Sequence, residues 1–172
     1  MSVRLRPYDE KLLRQAFDVA RHARDAGDHP FGSVLADGKG KLLMELGNGF
    51  TSEGRDRTAH AEKLLASRAA RAYDIAFLSR CTLYTSAEPC AMCAGAIYWC
   101  GIGRVVYALS EAALLALTGN HAENPTLRLP CRGVFASGQR PIEVIGPALV
   151  GEATQVHEGF WSGATTRHAA GG

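Results

Sequence analysis

Pro89-Cys90-Ala91-Met92-Cys93 begins three residues after CTLYTS at 81–86, an apolar and β-branched run without charge. Such a run reads as a buried strand. Proline is well tolerated in a first helical turn, so Pro89 is expected to open a helix that reaches about Trp99. A strand passing directly into a helix calls for a sheet covered by helices. It also sets the two cysteines, three apart, on one face of a helix N-terminus. The partial positive charge there favours thiolates.

The rest of the chain alternates in the same way. Residues 9–26 place Leu12, Leu13, Ala16, Phe17, Ala20 and Ala23 on one stripe, with Asp9 to cap the helix and Gly27 to end it. Two apolar runs joined by a glycine turn, 32–37 and 41–47, read as a hairpin. Thr58 is a plausible cap for the next helix, THAEKLLASRAARAY. Strands at 104–109 and 142–146, a helical stretch at 111–118, and a short helix in GEATQVHEGFW complete the pattern, while NHAENPTLRLP reads as loop. The expectation is one α/β domain over residues 1–172, with a mixed sheet covered on both faces and a flexible tail from about 163.

Composition narrows the classes of function. No run approaches 18 apolar residues and MSVRLRPYDEK lacks the apolar stretch of a signal peptide, so no membrane partner and a cytoplasmic location are expected. The 19 basic and 17 acidic residues leave a net charge of +2, which is no nucleic-acid footprint. The cluster GRDR at 54–57 carries an acid in its middle and reads as a solvated loop. A Cys-x-x-Cys pair in a reducing compartment is more often metal-binding or catalytic than a disulfide. Cys81, Cys100 and Cys131 stand among apolar or small residues and read as buried thiols.

HAE at 60–62 begins the preceding helix, so it too lies at a helix N-terminus after a loop. If the strands feeding the two helices are neighbours, His60, Cys90 and Cys93 converge. One imidazole and two thiolates give Zn2+ three ligands and leave a fourth position for water. Zinc lowers the pKa of its water, and Glu62 stands beside His60 as the carboxylate to move the proton. His60 and Glu62 are two apart, which regular helix geometry sends to opposite sides. Two other readings stay open. Cys90 and Cys93 alone could be a redox pair, and Cys100 or Cys131 could close the fourth corner of a structural-zinc binding module.

His-x-Glu followed at a distance by Pro-Cys-x-x-Cys is the signature of zinc-dependent base deaminases. HAE, then 26 residues, then PCAMC resembles the cytidine deaminase superfamily. TLYTSAEPCAMCAGAIYW with GRVVYA after it resembles the branch of guanine deaminases and bacterial tRNA adenosine deaminases, over roughly residues 10–120. The resemblance implies a three-layer α/β/α fold around a five-stranded sheet, and a homodimer. It makes His60, Cys90 and Cys93 the zinc ligands and Glu62 the proton shuttle. It places Phe31 of HPFGS and Asn48 of GNGF against the base, and Trp99 of AIYW in the pocket wall. Phe31 and Trp99 could equally be core, and Asn48 a turn residue.

The reaction implied is hydrolytic deamination of a free nucleobase or nucleoside, with backbone N–H groups near Ala61 and Cys90 steadying the oxygen. The tRNA-editing branch ends in a basic helix, whereas one arginine follows Glu158 here, so tRNA is the alternative and a nucleic-acid partner is not expected. Guanine deaminases read the base edge with an acidic residue after the fourth strand. TGNHAENP at 118–125 has no matching acidic run, though Asn120, His121 or Glu123 could substitute. A guanine-like purine is favoured, with cytosine, a pterin or a triazine-like heterocycle also open. Phe160 and Trp161 either dock the last helix or form a lid.

Overall fold

The computed structural model describes residues 4–119 and 121–162. In chain order the elements are α1 (Asp9–Asp25), β1 (Gly32–Ala36), β2 (Leu42–Gly47), α2 (Ala61–Ala72), α3 (Ile75–Leu78), β3 (Thr82–Ala87), α4 (Ala91–Cys100), β4 (Arg104–Leu109), α5 (Glu111–Thr118), α6 (Cys131–Ala136), β5 (Glu143–Ile145) and α7 (Val150–His157). The strands form one sheet in the order β2-β1-β3-β4-β5. β1 is antiparallel to β2 and β3, while β3, β4 and β5 run parallel, so the sheet is mixed.

Every residue of β1, β3 and β4 is buried, because helices cover both faces. Alternate residues feed two cores. Val34, Tyr84 and Val106 pack with Leu13, Phe17 and Ala153, from α1 and α7. Leu35, Leu83 and Val105 pack with Leu65, Ile97 and Phe135, from α2, α4 and α6. The apolar stripe of α1 is buried as its periodicity predicts. Gly32 lets α1 lie close on β1, since a Cβ there would collide with the Ala16 carbonyl and the Ala20 nitrogen. No helix among the described residues is long and apolar enough to cross a membrane.

Several local expectations are corrected. Thr58 does not cap α2. His60 is the N-cap residue, and both the N–H and hydroxyl of Thr58 donate to Asp56, at 2.8 Å each. Asp9 lies inside the first turn of α1 instead of capping it, with its carboxylate committed to Arg104 and Tyr84. The cap of α4 is Cys90, so Pro89 precedes the helix. The short α3 and α6 were not signalled by periodicity.

Candidate active site

His60 and Cys90 are the N-cap residues of α2 and α4, each with extended backbone, ψ 144° and 170°. An extended cap turns its side chain off the helical periodicity. His60 and Glu62 therefore share one side of the site although they are two apart. The strands feeding α2 and α4 are β2 and β3, and β1 lies between them. Convergence comes instead from the 48–60 loop, whose Asn48 and Gly49 amides donate to Phe31 and Ala59 carbonyls, and from α2 packing beside α4.

Cys90 Sγ and Cys93 Sγ each lie 3.6 Å from His60 Nδ1, and the three donor atoms all fall within 4.8 Å of one another. Tetrahedral zinc with ordinary Zn–N and Zn–S bonds requires an N···S edge of about 3.6 Å, so the donor set fits zinc in type and spacing. No other His, Cys, Asp or Glu among the described residues joins the cluster. Cys100 donates to the Ile97 carbonyl at 3.3 Å, and Cys131 is buried against Phe135 in the core. Neither closes the fourth corner.

The electrostatics suit metal binding. The Cys90 thiol is held down to about 4, by donation from Cys93 first and by His60 after it. Cys93 is pushed up by the same shared proton and by burial. Cys90 is thus ready as a thiolate, and a bound cation would displace the proton that Cys93 holds. Glu62 is buried, and burial raises its pKa. Thr85 Oγ1 donates to Glu62 Oε1 at 2.7 Å and opposes that rise.

These groups form one end of a cavity of about 290 Å³. Phe31, Asn48, His60, Glu62 and Cys90 are among the residues that line it. Trp99 is not. It lies on the outward side of α4, 76% exposed, because the inward side is taken by Cys93, Ala94, Ile97 and Cys100. Ala61 is fully buried under the site. Of the candidate base readers, Glu123 lines the cavity, His121 packs against Trp161 with ring centroids 5.5 Å apart, and Asn120 lies outside the described residues. Phe160 and Trp161 are not in the cavity wall. Trp161 is buried and donates from Nε1 to His157 Nδ1 at 3.1 Å, so the pair docks α7 and backs Phe31 from behind.

Sequence reasoning missed two pocket carboxylates. Glu88 accepts from the Glu111 N–H at 3.1 Å and the Cys131 N–H at 3.0 Å, joining the starts of α5 and α6. Glu111 is pushed up to about 7 by burial, then by the charges of Cys90, Glu88 and Glu62. A signal existed: Glu111 stands where β4 passes into α5, and ligands of such sheets gather at the carboxyl ends of the strands. His29, which belongs to no motif in the sequence, is buried and contacts Glu123 at 3.1 Å.

Residues 6–109 match the cytidine and deoxycytidylate deaminase zinc-binding region. A probable cytosine deaminase of Schizosaccharomyces pombe is 41% identical over 162 residues, 94% of this chain and 98% of that protein. A guanine deaminase of Bacillus subtilis is 40% identical over 100 residues, 58% of this chain and 63% of that protein. The solved structure of a guanine deaminase from Nitrosomonas europaea superposes with a TM-score of 0.69 at 26% identity, covering 91% of this chain and 93% of the other.

Proposed function

Because this chain belongs to the cytidine and deoxycytidylate deaminase family, we propose that it hydrolyses an exocyclic amine from a free nucleobase or nucleoside, with a guanine-like purine as leading substrate. The observation that carries the reading is a three-donor zinc site with an open corner, set beside a buried carboxylate at the end of a cavity. When bound, zinc acidifies water toward neutrality and so supplies a nucleophile at ordinary pH.

The chain's own residues do the rest. Glu62 would accept one water proton and pass it to the ring nitrogen beside the amine, then take the remaining hydroxyl proton as the carbonyl forms and deliver it to the departing amine, which leaves as ammonia. Its burial raises the carboxyl toward the pH at which it must both take and give protons. The first N–H groups of a helix have no partner within it, so those near Ala61 and Cys90 are available to steady the reacting oxygen. Phe31 offers a ring face to the base. Asn48 Oδ1 accepts from the Phe50 N–H at 2.8 Å, which leaves its amide NH2 to donate to a base carbonyl.

Four glutamates, Glu62, Glu88, Glu111 and Glu123, share the described wall with one arginine, Arg57. Such a wall favours a neutral, N–H-rich base over a phosphorylated nucleotide or an RNA strand. Glu123 is our candidate for reading the base edge. A second reading, cytosine, is favoured by the Schizosaccharomyces pombe relative, which aligns along nearly its whole length. For assembly, α4 carries no charged residue and exposes Trp99, which supports a homodimer built on that helix.

Ammonia release from guanine, guanosine, cytosine, cytidine, adenine and a tRNA anticodon stem tests the proposal. Turnover of guanine supports the leading reading and turnover of cytosine alone the second. Preference for the RNA stem, or no ammonia from any compound, overturns both.

A further inference from the structure

Residues 121–130 contain no helix or strand, yet Glu123, Asn124, Pro125 and Leu127 make one wall of the cavity. Something must hold this segment in place. A short side-chain contact ties it to the body of the molecule: His29 Nε2 lies 3.1 Å from Glu123 Oε2, between side chains that are 10% and 17% exposed.

His29 is itself firmly set. Its ring stacks on Phe50 with centroids 4.7 Å apart and an interplanar angle of 17°. Trp161 lies against another side, with a centroid separation of 5.7 Å. The preceding residue, Asp28, accepts from the Thr51 and Ser52 backbone N–H groups at 2.6 and 3.1 Å. The imidazole therefore cannot swing without disturbing the Phe50 segment, whose N–H also fixes Asn48.

We propose that His29 is a positioning residue that latches the 121–130 segment over the pocket and orients Glu123 toward the base. The inference rests on the reading that Glu123 meets substrate. The ring's chemistry suits the task. Burial, outweighing the Glu123 carboxylate, lowers the His29 pKa, so near neutrality an uncharged ring donates from Nε2. A neutral donor holds the carboxylate without cancelling its charge, which an arginine or lysine would do. The carboxylate thus stays a strong acceptor for a base N–H.

The test compares His29→Leu, which removes the donor, with His29→Gln, whose amide N–H replaces Nε2. Steady-state kinetics are run on whichever base the ammonia panel identifies. Amide hydrogen exchange of residues 121–129 and zinc content are measured on the same proteins. A hydrogen bond to a charged group is worth a factor of about ten or more, so His29→Leu is expected to raise KM at least about tenfold while kcat changes less than about threefold. Exchange in 121–129 speeds up, zinc stays bound, and His29→Gln restores KM to within about threefold. Unchanged KM and unchanged loop exchange in folded, zinc-loaded His29→Leu overturn the latch. Loss confined to kcat, or no rescue by glutamine, overturns the positioning role. A wild-type chain that releases no ammonia defeats the reading of Glu123 as a substrate contact, while the exchange data still decide the latch.

Discussion

Glu62 shows how much one residue's neighbours decide. Burial, above all, pushes its carboxyl up, while His60 and then the Thr85 hydroxyl, 2.7 Å away, pull against that. Glu62→Gln is expected to lower kcat by about 10² to 10⁴, the span general acid–base catalysis supplies, while metal analysis still finds one zinc per chain. Normal turnover in that variant would remove Glu62 from the mechanism. Thr85→Val removes a hydrogen bond that favours the ionised carboxylate, so the Glu62 pKa rises further. The base form then appears only at higher pH, and the acid limb of kcat/KM moves upward; Thr85→Ser leaves it in place. A pH–rate profile on the three proteins checks this, and identical acid limbs would show that Glu62 does not set them. At this scale the ligands were legible because His-x-Glu and Pro-Cys-x-x-Cys are rare together. The side on which Glu62 falls was not, because it depends on His60 being an extended cap, ψ 144°, rather than a helical residue. Trp99 was misread for a related reason. A motif match fixes its place in α4 but not which flank of the helix meets the core.

Between elements, Asp9 ties the start of α1 to the sheet. It is fully buried at the start of α1 and accepts from Tyr84 of β3 at 2.7 Å and from Arg104 of β4 at 2.9 and 2.7 Å. Arg104 Nε lies 2.9 Å from Glu143 of β5, so one ion network ties a helix to three strands. Removing one partner strands the other charge in the interior, which costs about 3–5 kcal/mol. Asp9→Asn is therefore expected to lower the urea midpoint strongly. Asp9→Leu combined with Arg104→Leu is expected to be less damaging than the two single losses summed. Additive losses would mean that the pair is not coupled. The alternation of strands and helices was readable from periodicity, and so was the burial of the α1 stripe. The partners of Asp9 were not, since a lone acid at a helix start reads equally as a cap. α3 and α6, with four and six residues, are too short for a helical period to show. The order β2-β1-β3 was hidden as well, because strand order is set by how a hairpin docks rather than by any residue in it.

At the scale of the molecule, two features remain to be tested. If α4 joins two copies, Trp99→Glu is expected to shift the sedimentation coefficient to that of a monomer, and an unchanged coefficient would place the interface elsewhere. The second concerns the closing segment of the described chain. α7 is held by Arg24, which donates to the Val156 and Glu158 carbonyls at 2.8 and 2.7 Å, and by the Trp161 indole donating to His157 Nδ1. His157 is buried, and burial, with a smaller contribution from Arg24, lowers its pKa from 6.5 to about 4. The unfolded chain takes up a proton first as the pH falls, and protonation of Nδ1 would set two N–H donors against each other. The contribution of the neutral ring is therefore present above pH 6.5 and is lost as the pH drops toward 4, by on the order of 3 kcal/mol across that window. His157→Gln keeps an oxygen to accept from Trp161 but cannot titrate. Between pH 7 and pH 4.5 the urea midpoint of the wild type is expected to fall more steeply than that of the variant. Parallel falls would show that the acid sensitivity resides in the carboxylates alone and that His157 does not govern the docking of α7.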